Sequence, residues 1–128
     1  MNAFDLTGRT ILVTGASSGL GRQCAITISE YGATVIITGR NKERLEETLR
    51  LLKKGDHQSI TADLTDQNGI SSLTDGLPKL NGVVYSIGIS DLSSARFITE
   101  ETIAKTFKIS YEASVLLTSR LLGKKKLM

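Results

Sequence analysis

The 128 residues, 40% apolar and 23% charged, have the composition of one globular domain spanning residues 1–128 and are too few for two of ordinary size. No apolar run approaches the ~18 residues of a membrane span, and Met1-Asn2-Ala3-Phe4-Asp5 lacks the basic and apolar blocks of a secretory signal, so a soluble cytoplasmic protein without membrane attachment is expected. Lys124, Lys125 and Lys126 account for the whole formal charge of +3 and leave a neutral remainder without a nucleic-acid footprint, while one Cys and one His exclude an internal disulfide and a Cys/His metal cage.

Ile11-Leu12-Val13, entered from Gly8-Arg9 and left through Thr14-Gly15, is a short apolar run suited to a strand buried on both faces. Leu20, Ala25, Ile28 and Tyr31 fall near helical spacing and Gly32 stops that helix. Thr34-Val35-Ile36-Ile37-Thr38 is β-branched throughout, a second strand closed by Gly39. From Asn41 to Lys54, charged residues alternate with Leu45, Leu49 and Leu52 in an amphipathic helix that Asn41 can cap. Ser59–Ala62 reads as a weaker third strand, Thr65 to about Leu73 as a short helix, and 69–80, with Gly69, Gly76 and Pro78, as a loop. Val83–Ile87 is the fourth strand, and Thr99–Leu122 a long helix with Glu100 and Glu101 at its positive end and lysines at its negative end. Strands alternating with helices four times predict an α/β fold, a parallel sheet with right-handed crossovers covering both faces.

Thr14-Gly15-Ala16-Ser17-Ser18-Gly19-Leu20-Gly21 lies between the first strand and the first helix. Gly15 permits a sharp exit from the strand, Gly19 leaves no Cβ where a diphosphate approaches the backbone, and Gly21 lets helix and strand pack closely. The open N–H groups of the helix's first turn then face the phosphates, with Ser17 and Ser18 as further donors. Three glycines can also mark a tight turn and nothing more. The position after a buried strand, in the first of several β–α units, favours a nucleotide site.

The Gly-x-x-x-Gly-x-Gly spacing resembles the cofactor loop of the short-chain dehydrogenase/reductase family. Asp63-Leu64-Thr65 resembles the family's adenine-contacting Asp, and Ser86-Ile87-Gly88 stands where the family has Asn-Ala-Gly. The resemblance runs from Thr7 to Lys126 and implies a Rossmann-like doubly wound sheet ordered 3-2-1-4. The cofactor-binding set it implies is Gly15, Ser17, Ser18, Gly19, Leu20, Gly21, Gly39, Arg40, Asn41, Asp63, Leu64, Ser86, Ile87 and Gly88, with no metal. Two departures stand out. Tyr85-Ser86-Ile87-Gly88 keeps only the glycine of the usual Asn-Asn-Ala-Gly, so the hydrogen bonding that steadies the central strand must be rearranged. Ser110 occupies the place of the family's Asn that organises a proton-relay water.

An acid about twenty residues past the glycine loop would hold the ribose 2′-hydroxyl of NAD. Gly39 stands there instead, followed by Arg40, whose guanidinium can fork onto a 2′-phosphate, so NADP is expected ahead of NAD. The alternative is that Arg40 belongs to the charged surface of the second helix.

The family donates its proton from a Tyr with a Lys four residues later, but Tyr31, Tyr85 and Tyr111 are followed at that distance by Val35, Ile89 and Val115. In the family that pair follows a fifth strand. The resemblance therefore implies the N-terminal half of a reductase that moves hydride between NADP(H) and a carbonyl or alcohol, of 3-oxoacyl type among others. It would be truncated after the fourth β–α unit and inactive in this form. A non-catalytic dinucleotide module and a remnant are the competing readings. His57 reads as solvent-exposed, Cys24 as a small core residue, and the three lysines as charges complementing their own helix end. Strand four, left at the edge, and the many-sided apolar helix after it predict self-association as a homodimer or higher.

Overall fold

The computed structural model describes residues 3–87 and 94–127. Four strands, β1 (Thr10–Thr14), β2 (Thr34–Gly39), β3 (Gln58–Thr61) and β4 (Gly82–Val84), form one sheet in the order β3-β2-β1-β4, every pair parallel. Leu12 lies opposite Ile36 and Val83, and Val13 opposite Ile37 and Val84. Because strand side chains alternate, one face gathers Leu12 and Ile36 and the other Val13, Val35 and Ile37. The second face is covered by α1 (Gly19–Glu30) and α2 (Lys42–Leu51) through Ala25 and Leu45, and the first by α3 (Gln67–Gly76) and α5 (Ala113–Gly123) through Ile70, Leu73, Leu117 and Leu121. This is the doubly wound 3-2-1-4 architecture expected from the sequence.

The expected helix at 65–73 and loop at 69–80 are corrected to α3, Gln67–Gly76, capped by the Asp66 carboxylate accepting from Asn68 N–H at 3.0 Å. Gly69 is not a break: a Cβ there would run into the Asp63 carbonyl, so glycine lets the helix lie against the preceding turn. The long helix is divided into α4 (Glu100–Phe107), one π turn at Lys108–Glu112, and α5. Strand β4 is shorter than expected and ends at Val84, where the buried Thr14 hydroxyl takes over from the ladder. It lies 3.3 Å from the Val84 carbonyl, to which it can donate, and accepts from Ser86 N–H at 3.2 Å. The strand end at Tyr85-Ser86 is thus held through Thr14, and the Tyr85 hydroxyl bonds Thr118 on α5.

His57 is corrected from an exposed residue to a half-buried clasp. Its Nδ1 accepts from Val35 N–H at 3.0 Å, which makes Nε2 the protonated nitrogen, donating to the Lys53 carbonyl at 2.6 Å. Cys24 is half-buried. Lys124 and Lys126 serve α3 rather than their own helix: Lys124 pairs with Asp75, and Lys126 donates to the Thr74 and Asp75 carbonyls at the negative end of α3. The tail then meets the approach to β4, with Leu80 N–H donating to the Lys126 carbonyl at 2.6 Å and Leu80 bridging Leu127 in parallel. Among the described residues no helix is long and apolar enough to cross a membrane, and no group of three or more His, Cys, Asp or Glu could hold a metal ion.

Candidate functional site

In a parallel sheet the strand ends that deliver the chain to the helices lie along one edge, and a crevice opens where neighbouring connections leave to opposite faces. Here that edge carries a cleft of about 1140 Å³ lined from four connections. The β1–α1 loop contributes Gly15, Ser17, Ser18, Leu20 and Gly21; the end of β2 contributes Thr38, Gly39, Arg40 and Asn41; the turn after β3 contributes Asp63, Leu64 and Thr65; and the end of β4 contributes Ser86 and Ile87. Gly88 lies outside the described residues. Ser110 is exposed in the π turn and is not among the lining residues, whereas its neighbour Ile109 is.

Local chemistry explains the shape. Gly15 has a φ of 63°, and a Cβ there would run into the Ser86 carbonyl and stand 3.1 Å from Ile87 Cγ2. A Cβ on Gly21 would collide with the Gly15 carbonyl, so α1 can start directly against the strand exit only with glycine at that position. Gly19 is constrained by its φ of 59°; outside its neighbours and its own helix, a Cβ there would meet no atom of the described residues within 4 Å, and the space beside it is open. Whereas α2, α3 and α4 carry side-chain caps from Asn41, Asp66 and Thr99, the first turn of α1 has none from Ser18 and holds no acidic residue. Its N–H groups therefore keep their positive end uncompensated.

On the opposite wall, Asp63 accepts from the Thr65 hydroxyl at 2.6 Å and from its amide at 2.9 Å. These two bonds, the hydroxyl first, hold the Asp63 carboxyl below its ordinary range, and the charge of Arg40 adds to the effect against a small opposing cost of burial. Arg40 is exposed at the cleft lip, and no acid stands at the end of β2, where Gly39 lies. Two observations bear on whether a dinucleotide fits. The Thr38 hydroxyl oxygen is buried without a hydrogen-bond partner among the described residues, and Thr38 lines the cleft. The loop's backbone is bare of a Cβ at Gly19, beside open space, where a diphosphate would need close approach. The residues present fit such a group.

Sequence reasoning missed Arg22 and Thr48. Arg22 reaches from α1 to the loop and to α2, donating to the Thr48 hydroxyl and to the Ser17 carbonyl. The partners are separated by up to 26 positions, and no local pattern marks them.

A family model described as short chain dehydrogenase matches residues 9–126. The uncharacterized oxidoreductase YvaG of Bacillus subtilis is 31% identical over 123 residues, 93% of this chain and 47% of that protein. The 3-oxoacyl-[acyl-carrier-protein] reductase FabG of Rickettsia felis is 34% identical over 122 residues, 94% of this chain and 50% of that protein. Among solved structures, the Pseudomonas aeruginosa RhlG/NADP active-site complex superposes with a TM-score of 0.88 at 30% identity, over 95% of this chain and 50% of that one. The chain thus spans about half the length of the curated relatives it matches.

Proposed function

Because the chain belongs to the short-chain dehydrogenase family, we infer that its cleft holds a nicotinamide dinucleotide, with NADP(H) preferred over NAD(H), as the cofactor-binding half of a carbonyl or alcohol oxidoreductase. The diphosphate belongs on the open N–H groups between Ser17 and Gly21, at the uncapped positive end of α1. The adenosine belongs between Asp63-Leu64 and Arg40-Asn41, and the nicotinamide end toward Ser86 and Ile87. When bound, the cofactor supplies or accepts the hydride. The 128 residues contain no Tyr-x-x-x-Lys pair to donate the proton, so binding without turnover is expected of them. For a complete protein, the 3-oxoacyl reductase among the relatives supports a 3-oxoacyl substrate as one class.

The observation that carries the NADP preference is the end of β2. A carboxylate at position 39 would accept from a ribose 2′-hydroxyl and repel a 2′-phosphate, and the chain has Gly39 there with the Arg40 guanidinium beside it on the cleft lip.

Calorimetric titration with NADP⁺ and NAD⁺ tests the reading. A charge-assisted pair to the 2′-phosphate contributes about 1.5–3 kcal/mol, roughly ten- to a hundredfold in affinity. Arg40→Ala should lose that margin for NADP⁺ and leave NAD⁺ unchanged. Gly39→Asp should reverse the order, because the atoms nearest a Cβ there, on the Leu45 and Ser17 side chains, stand at ordinary van der Waals contact of 3.4 and 3.5 Å. Equal affinities for the two cofactors in the wild type would refute the preference.

A further inference from the structure

The glycine loop is tied down from behind. Thr48, fully buried on α2, lies with its hydroxyl 2.8 Å from the Ala16 carbonyl oxygen and accepts Arg22 Nε–H at 2.8 Å. Arg22 Nη2 donates to the Ser17 carbonyl at 2.7 Å and lies 3.2 Å from both the Arg44 carbonyl and the Glu47 carboxylate. Arg22 is the fourth residue of α1, where a positive charge opposes the helix's own positive end. Helix stability does not account for it, and its contacts do. The planar guanidinium presents a fixed fork of donors that an ammonium on a flexible stem cannot imitate at several acceptors at once.

We propose that Arg22 and Thr48 are positioning residues that preset the loop for a diphosphate. A trans peptide is planar, so the carbonyl of one residue and the N–H of the next point in opposite directions. Fixing the Ala16 carbonyl on Thr48 therefore aims Ser17 N–H away from the clamp, and fixing the Ser17 carbonyl on Arg22 does the same for Ser18 N–H. Both residues line the cleft, and neither amide has a hydrogen-bond partner among the described residues. The loop is held by its acceptors so that its donors stay open before the ligand arrives, and the ordering cost is met in folding rather than in binding.

The proposal rests on the dinucleotide reading, and its test separates the two. Thr48→Val keeps the side-chain shape and removes the hydroxyl, Arg22→Lys keeps the charge and removes the fork, and Thr48→Ser restores the hydroxyl. NADP⁺ binding is measured by calorimetry and adenosine 2′-monophosphate binding by NMR titration, the second ligand having the adenosine and 2′-phosphate but no diphosphate. NADP⁺ affinity should fall about tenfold in Thr48→Val and in Arg22→Lys. It should stay at the wild-type level in Thr48→Ser, and adenosine 2′-monophosphate should bind all three variants as it binds the wild type. Parallel loss of both ligands, or full NADP⁺ affinity in Arg22→Lys, overturns the clamp and leaves the dinucleotide reading standing. A wild type that binds neither ligand overturns both.

Discussion

At the scale of single residues the cleft is shaped by short polar contacts whose charges can be tested separately from their geometry. Asp63 shows this most directly, because Thr65 offers it two donors and Arg40 a positive charge, all of which favour the carboxylate. Its folded-state value is lowered, so the stability it contributes is fully present above the ordinary aspartate pKa of about 3.9 and is lost as pH falls through the lowered value. Asp63→Asn keeps an acceptor and removes the charge. Its stability gap from the wild type, read from urea midpoints, should therefore be open at neutral pH and close in acid. A gap constant across the series would show that Thr65 responds to the oxygen and not to its charge. Most of the cleft's residues were legible in the sequence because each sits at a strand end or a glycine, where local chain chemistry is distinctive. Arg22, Thr48 and the unpartnered Thr38 were not, since what they do depends on partners that the fold brings from elsewhere.

At the scale of elements, periodicity succeeded where side chains bury against one face and misled where glycine has a tertiary reason. The β-branched run of β2 and the leucine stripe of α2 announce themselves, whereas Gly69 and Gly76 disguise α3, whose Ile70, Leu73 and Thr74 are buried at helical spacing. His57 was misread because its neighbours are polar. Its ring in fact replaces strand pairing at the start of β2, where β3 has not yet joined the ladder at Ile36. His57→Ala removes the acceptor of Val35 N–H, on a residue that is itself fully buried. A buried donor left unmade costs about 1–3 kcal/mol. Chemical denaturation should show a loss of that size, with dinucleotide affinity unchanged because Val35 lies toward the strand starts and away from the cleft. A loss below a few tenths of a kcal/mol would mean that water replaces the ring.

At the scale of the whole molecule, the helical layer beyond β4 presents two different faces. Leu117 and Leu121 are fully buried against the chain's own sheet, so Leu117 does not share the exposed face with Ile103 and Phe107. The outward face carries Ile103, Phe107, Tyr111 and Val115 at steps of four, 49, 62, 64 and 48% exposed, with Leu122 beyond them at 55%. Side chains four apart fall on one side of a helix, and from Ile103 to Val115 this stripe runs about 18 Å along it. Large apolar side chains contiguous over that length are characteristic of an interaction surface rather than of scattered surface residues. A surface on one helix that meets its own copy about a two-fold axis closes on itself and leaves no further patch to propagate. The chain is therefore expected to associate in pairs through α4 and α5. Light scattering across a dilution series should give a mass approaching twice that of the chain, and Phe107→Glu, which places a charge in the middle of the stripe at a largely exposed residue, should return it to the monomer with its circular dichroism unchanged. A wild type that stays monomeric throughout the series would refute the pairing, and a Phe107→Glu variant that stays paired would move the interface to the edge of β4.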